Sequence, residues 1–246
     1  MKEDAGEAID MRGKVCIVTG ANAGIGRATA LGLAKTGATV VMVCRNRHRG
    51  QEALAQVQQK SGNSSVCLLV TDLSSQASIR RLAADFKALY PAPHVLINNA
   101  GIIPRRRTLT EDELETQFAV NHLAYFLLTA LLLDVLKAGA PARIVNVSSQ
   151  VHSRVPLDFD DLQSERSYNP GLVYARTKLA NVLYTYELAR MLEGTGVTAN
   201  CLHPGLVATN LLADATGLPR PLRFVARVVG ASPEAGARTS LYLATS

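Results

Sequence analysis

Short apolar runs alternate with longer helical stretches along almost the whole chain. Val15-Cys16-Ile17-Val18-Thr19 is a continuous apolar run that stops at a glycine. Residues 39–44, 66–70, 95–97, 143–147 and 197–202 repeat the pattern. Runs without polar alternation predict strands buried on both faces. Between them, apolar periodicity predicts helices over residues 24–36, 50–60, 76–89, 111–136 and 172–192. Gly37 stops the first of these, and Thr110 with Glu113 forms a candidate capping box for the long one. A polar loop is expected over 151–170. The tail from Leu206 to Ser246 reads as helical, broken by Pro219, Pro221 and Pro233. Strands that alternate with helices imply a doubly wound, mostly parallel α/β sheet of the Rossmann type, with helices on both faces. A chain of 246 residues without linker, repeat or low-complexity segment suits one such domain, with 1–13 as an N-terminal tail.

The charged residues leave few alternatives. The formal net charge is +6, but cations are mostly interleaved with acids. The local exceptions are Arg45, Arg47, His48 and Arg49, and the run Arg105-Arg106-Arg107, which reads as a solvated loop. No Trp is present and no aromatic stripe accompanies the basic residues, which argues against nucleic acid as a partner. Cys16, Cys44, Cys67 and Cys201 form no C-x-x-C pair and no cluster with histidine. They read as reduced, buried thiols in an intracellular, cytoplasmic protein, and no metal is expected. The polar N-terminus has no signal-peptide core. The longest apolar stretch, residues 123–136, carries Asp134 and is too short for a membrane span.

Two places carry chemistry. Thr19-Gly20-Ala21-Asn22-Ala23-Gly24-Ile25-Gly26 turns a predicted strand into a helix, with three glycines where the backbone must approach a pyrophosphate at the positive helix end. The second strand ends in Cys44-Arg45-Asn46-Arg47, where an acid would select a free ribose hydroxyl. A guanidinium there favours a 2′-phosphate, hence NADP(H). The second place is Tyr174-Ala175-Arg176-Thr177-Lys178. Its phenol and amine share one helix face, and an ammonium beside a phenol is expected to lower the phenol's pKa into a useful acid/base range. Asn98-Asn99-Ala100-Gly101, Asn121 and Ser148-Ser149 lie at carboxyl ends of predicted strands or in flanking helices, the edge where open α/β sheets bind ligands.

Taken in order, these segments, with Asp72-Leu73 and Pro204-Gly205, resemble the short-chain dehydrogenase/reductase family over nearly the whole chain. Cys44-Arg45-Asn46, residues 161–165 and Lys178-Leu179-Ala180-Asn181-Val182-Leu183 are similar to its retinol dehydrogenase-like branch. The resemblance implies that Tyr174 is the general acid/base, Lys178 holds the nicotinamide ribose, and Ser149 binds the substrate oxygen beside Ser148. Asn121 would kink the long helix and hold a water. It further implies cofactor contacts from Gly20, Asn22, Ala23, Gly24, Ile25, Gly26, Arg45, Asn46, Asp72, Leu73, Asn99, Ala100, Gly101, Tyr174, Lys178, Pro204, Gly205, Val207 and Thr209. Residues 206–230 would form a substrate lid, with Arg220, Arg223 and Arg227 on one helical face. The expected activity interconverts an alcohol and a carbonyl on a small lipophilic substrate, in a homodimer, with peripheral membrane contact open. The alternative is a non-catalytic NADP(H)-binding sensor or scaffold. Two family features are missing from the sequence: a visible seventh strand and the branch's membrane-spanning N-terminus.

Overall fold

A computed structural model describes residues 9–205, 207 and 231–246. Six strands, β1 (Val15–Thr19), β2 (Thr39–Cys44), β3 (Val66–Val70), β4 (Val95–Asn98), β5 (Ala142–Val147) and β6 (Val197–Leu202), form one sheet in the order β3-β2-β1-β4-β5-β6. Every neighbouring pair is parallel. Helices α1 (Gly24–Lys35), α2 (Arg47–Ser61), α3 (Gln76–Leu89), α4 (Thr116–Ala138), α5 (Pro170–Met191) and α6 (Pro233–Thr245) surround it. The expected α/β architecture is present, and β6 is the sheet's outer strand among the described residues.

The strands are apolar throughout because both of their faces are covered. Side chains alternate across the sheet. Ile17, Val41, Val43, Leu96 and Ile144 meet Phe86 of α3, Leu128, Leu132 and Leu136 of α4, and Leu188 of α5. Cys16, Val18, Val40, Met42, Ile97 and Val145 meet Leu33 of α1, Val57 of α2 and Ala244 of α6. The four cysteines are unpaired. Met11 is also buried, and its amide donates to the Thr36 carbonyl at 2.8 Å, so the described end of the expected tail is packed against the end of α1.

Three local expectations differ. Thr110 caps a tight turn, accepting from the Asp112 and Leu114 amides, in which Glu113 takes φ +59°. The cap of α4 is instead Glu115, whose carboxylate accepts from the Gln117 and Phe118 amides. A helix start set by a fully buried acid escaped the capping-box reading, which looks for Ser or Thr before the acid. Pro233 opens α6 rather than breaking a helix, since Ser232 caps it and a proline in the first turn loses no hydrogen bond. Helix α4 has the length and composition of a membrane span, yet half of its most apolar window is buried inside the fold. The expected lid, with Arg220, Arg223 and Arg227, lies outside the described residues apart from Val207.

Sheet order reverses between β1 and β4, so their carboxyl ends diverge and open a crevice. Two glycines near it test how tightly the fold is built. A Cβ at Gly26 would overlap the Gly20 carbonyl and the Asn99 amide, both held in place by backbone or hydrogen bonds. A Cβ at Gly32 would meet only the ends of the Leu241 side chain, at 2.5 and 2.6 Å. Gly26→Ala should therefore cost about 1–3 kcal/mol. Gly32→Ala should cost less than that, because Leu241 can turn aside and alanine is the better helix former. Urea denaturation of both variants gives the comparison, and equal losses would contradict it.

Candidate active site

The site lies at the carboxyl ends of β1, β4 and β5. Gly20 and Gly24 take φ +66° and +51°, values that alanine or larger residues rarely adopt. A Cβ on Gly20 would also lie 2.8 Å from the Ala100 Cα, so the turn is pressed against the end of β4. Helix α1 then starts with Ala23 as its cap, without a side-chain acceptor and without an acid in its first turn. Its first amides are left to bind an anion.

A single hydroxyl ties this turn to its neighbour. Thr19 Oγ1 accepts from the Asn99 and Ala100 amides at 2.9 and 3.1 Å and donates to the Ile97 carbonyl at 3.4 Å. Asn99 Nδ2 returns a bond to the Thr19 carbonyl at 2.8 Å. The side chain of Asn99 is thus spent on holding two strand ends together. Asp72 accepts from the Ser74 amide and hydroxyl at 2.9 and 2.7 Å, and Leu73 belongs to the core. Asn46 caps α2, accepting from the Arg49 amide at 2.9 Å. Arg45, Arg47, His48 and Arg49 are all exposed around the first turn of that helix, and the first turn contains no acid. Cations at a helix N-terminus oppose its dipole. Such a cluster is stabilised by an added anion.

Across the crevice, Asn169 caps α5 and Pro170 opens it, which puts Tyr174 just past the helix's first turn. The loop before this cap is tied to the loop after β4. Arg107 Nε donates to the Gln163 carbonyl at 3.0 Å, Gln163 Oε1 accepts from the Glu115 amide at 2.8 Å, and Tyr168 donates to the Pro104 carbonyl at 3.0 Å. Arg107 is therefore a clamp, not the solvated residue expected from its charge run. Arg105 and Arg106 are exposed.

Tyr174 and Lys178 do come together on one face of α5, but not as an ammonium against a phenolate. Lys178 is buried, and its Nζ donates to the Val147 carbonyl at 2.8 Å. That nitrogen lies 5.4 Å from the ring centre of Tyr125 and 5.5 Å from that of Tyr174. Burial lowers its pKa to about 7. Burial likewise pushes the Tyr174 phenol up to about 12, with the Ser149 hydroxyl pulling the other way. The expected lowering by Lys178 does not arise, and desolvation penalises the charge on both groups. Ser148, expected as a supporting neighbour of Ser149, is buried and donates to the Lys178 carbonyl at 2.8 Å.

Asn121 lies in a π turn, Ala119–Leu123, that widens α4 where a kink was expected. Its side chain is paired with one residue on both sides. Oδ1 accepts from the Ile102 amide at 2.8 Å, and Nδ2 donates to the Ile102 carbonyl at 2.9 Å. This holds the segment after β4, so that a Cβ placed on Gly101 would be 3.6 Å from Asn121 Oδ1 and 3.9 Å from Lys178 Nζ. Pro204 and Gly205 (φ +78°) follow β6. Val207 is bridged to Ala231, and its side chain shares with Ile25 the space over Gly236. Thr209 lies outside the described residues.

Residues that the sequence reading missed hold these groups in place. Tyr125 is fully buried and donates to the Ala100 carbonyl at 2.7 Å. Thr177 donates to the Tyr174 carbonyl at 2.8 Å. A buried seam of amides and hydroxyls runs from Asn98 to Asn146, Thr185, Asn181 and Asn121. The available signal was polar residues, Tyr125 and Thr129 among them, inside otherwise apolar periodic stretches.

The sequence pattern of the short chain dehydrogenases matches residues 14–217. The chain is 47% identical over 252 residues to human retinol dehydrogenase 14, an alignment covering 96% of this chain and 75% of that protein. The chain belongs to the short-chain dehydrogenase family, in its retinol dehydrogenase-like branch. It is an oxidoreductase of that family. Among solved structures it resembles an uncharacterised Mycobacterium paratuberculosis protein, with TM-score 0.78 and 35% identity, covering 98% of this chain and 79% of that one. It also resembles a putative NAD(P)-dependent gluconate 5-dehydrogenase from Beutenbergia cavernae with NADP bound at low occupancy. The values there are TM-score 0.77 and 28% identity, over 97% of this chain and 92% of that one.

The buried amine gives a prediction with a definite sign. Between pH about 7 and 10.5 the unfolded chain holds a proton on Lys178 that the folded protein lacks. Burial of the amine therefore costs most below pH about 7, and this cost fades as pH rises towards 10.5. Lys178→Met carries no such proton. The wild type should gain stability relative to Lys178→Met across that window, as read by urea denaturation at a series of pH values. A difference independent of pH would contradict the burial of the amine.

Proposed function

We propose that this oxidoreductase interconverts an alcohol and a carbonyl with NADP(H), through Tyr174, Ser149, Lys178 and Asn121. The observation that carries this reading is the convergence of the Tyr174 phenol, the Ser149 hydroxyl and the Lys178 amine. These lie just after β5 and on α5, with Ser149 bonded towards the Tyr174 phenol and Lys178 Nζ 5.5 Å from its ring centre, at the carboxyl edge of the sheet where the Gly20–Gly26 turn also lies. The residues suit a dinucleotide. A Cβ would fill the cradle at Gly20 and Gly26, and α1 begins without an acceptor for its amides. Gly20, Asn22, Ala23, Gly24, Ile25 and Gly26 would line the pyrophosphate. Asp72 and Leu73, and the backbone of Asn99, Ala100 and Gly101, would flank the adenine and riboses. Pro204, Gly205, Val207 and Thr209 would lie on the nicotinamide side. Arg45, beside Asn46, would take the 2′-phosphate, because the acid-free cationic start of α2 is costly until an anion joins it.

When bound, the nicotinamide supplies or accepts the hydride. The protein's part is proton transfer and alignment. In reduction Tyr174 donates its phenolic proton to the substrate oxygen, and in oxidation it takes that proton back. A phenol held near 12 by burial keeps its proton at neutral pH, which suits the acid role. Ser149 donates a hydrogen bond to the same oxygen. Lys178 holds the ribose, and Asn121 orders a water beside it. A lipophilic aldehyde, ketone or alcohol is the expected substrate, and the retinol dehydrogenase relatives support a retinoid-like member of that class. Phe126, Leu183 and Tyr186 leave an exposed apolar strip on α4 and α5, with Phe126 and Tyr184 rings 5.4 Å apart, which supports the homodimer. Unpaired cysteines support an intracellular setting.

NADPH oxidation with a panel of lipophilic aldehydes tests the reaction. Tyr174→Phe should lose about 10²–10⁴-fold in kcat. Equal, background turnover by both proteins would refute the enzyme. In the same assay Arg45→Ala should raise the NADPH KM by about ten- to a hundredfold, the worth of a charged hydrogen bond of about 1.5–3 kcal/mol, and barely change the KM for NADH. Equal losses for the two cofactors would overturn the phosphate assignment.

A further inference from the structure

We propose that Asn181 is a positioning residue for hydride transfer, its amide oriented by His122 and holding the backbone of the π turn against the helix that carries Tyr174 and Lys178. The inference rests on the reaction proposed above and adds a residue to it. Asn181 lies three positions after Lys178 on α5 and is fully buried. Its Nδ2 donates to the Asn121 carbonyl at 2.8 Å. Its Oδ1 lies 2.9 Å from His122 Nδ1.

These contacts fix the orientation of the side chain. A backbone carbonyl only accepts, so the nitrogen end of the amide must face Asn121. The oxygen end then faces His122, whose Nδ1 must carry the proton. One buried amide is thereby donor to one residue of the π turn and acceptor from the next. The bond to Asn121 matters because Asn121 in turn clamps both sides of Ile102, and Gly101 beside it borders Lys178 Nζ. The backbone carbonyl of Asn181 also accepts from Thr185 Oγ1 at 2.6 Å, and Thr185 accepts from Asn146 on β5 at 2.9 Å. Asn181 is thus where the sheet, the catalytic helix and the π turn are bolted to one another. An apolar residue of similar size would remove the bond to the buried Asn121 carbonyl and the acceptor that faces the half-buried His122 Nδ1–H. Asn181→Asp would set an oxygen against the Asn121 carbonyl.

Two measurements test this. In the folded wild type, nitrogen NMR of the His122 ring, assigned by its absence from His122→Gln, should show the Nδ1–H tautomer. The Nε2–H tautomer would overturn the proposal without reference to turnover. In the aldehyde assay, Asn181→Leu and Asn181→Asp should lose about ten- to a hundredfold in kcat per NADPH-binding site. Their NADPH affinity should change little, and the isotope effect with NADPH deuterated at the transferred position should rise as hydride transfer becomes limiting. A purely structural role would lower the thermal midpoint and leave kcat per binding site and the isotope effect at wild-type values, and that result would overturn the proposal. If the Asn181 variants do not fold, His122→Gln, which keeps an N–H donor, should retain most of the turnover that His122→Phe loses. Equal activity of those two variants would also overturn it. An active wild type with unaffected variants sinks this inference alone, whereas an inactive wild type that still binds NADPH sinks the reaction itself.

Discussion

Hydrogen bonding between buried amides decides the shape of this molecule where its chemistry sits. Asn98 and Asn146 face each other in register on β4 and β5, fully buried, with Asn98 Nδ2 donating to Asn146 Oδ1 at 2.9 Å and to Thr129 at 3.0 Å. From there the chain of bonds passes through Thr185 and Asn181 to the π turn. A hydrophobic core would tolerate these helices at several small offsets. A buried amide narrows that choice, since each orphaned group costs about 1–3 kcal/mol; the Nδ2 groups of Asn98, Asn146 and Asn181 are all paired, and Asn98 Oδ1 is left without a partner among the described residues. The seam thus converts a stable sheet with helices on its faces into one with a fixed register between α4, α5 and the strand ends.

Burial then sets the electrostatics of the pair that the seam positions. Lys178 and Tyr174 are both pushed towards their neutral forms, to about 7 and about 12. The two groups are neighbours without being paired to each other, the amine bonded to the Val147 carbonyl and the phenol near Ser149. The phenol is ready as a proton donor, and the amine is close to its titration point at neutral pH.

The strands and helix centres were legible in the sequence because continuous apolar runs have few other uses. Helix starts were less so: α4 begins on a buried glutamate, and α6 on a proline that had been read as a breaker. Among the candidate site residues, Gly20, Gly26, Tyr174 and Lys178 stood out by residue type and spacing, whereas the roles expected of Asn121 and Ser149 came from the family resemblance. The supports were less legible. Thr19, Tyr125, Asn181 and Arg107 act through partners tens of residues away in the chain, and although Tyr125 is marked as a polar residue in an apolar stretch, nothing local shows what any of them holds. The pKa of Tyr174 was also misjudged, because sequence spacing shows which groups are neighbours but not how much water reaches them.

The Thr19 hydroxyl joins the end of β1 to the Ile97 carbonyl within β4 and to two backbone amides just after it, and Asn99 closes the loop in return. One wall of the crevice is consequently a single rigid piece, in which no residue can shift without dragging two strands with it. The opposite side rests on the segments over 102–115 and 155–169, joined by a handful of side-chain ties. Accommodation of differently shaped molecules, within one protein or over evolutionary time, falls to that second wall, while the first preserves the grip on whatever all of them must share.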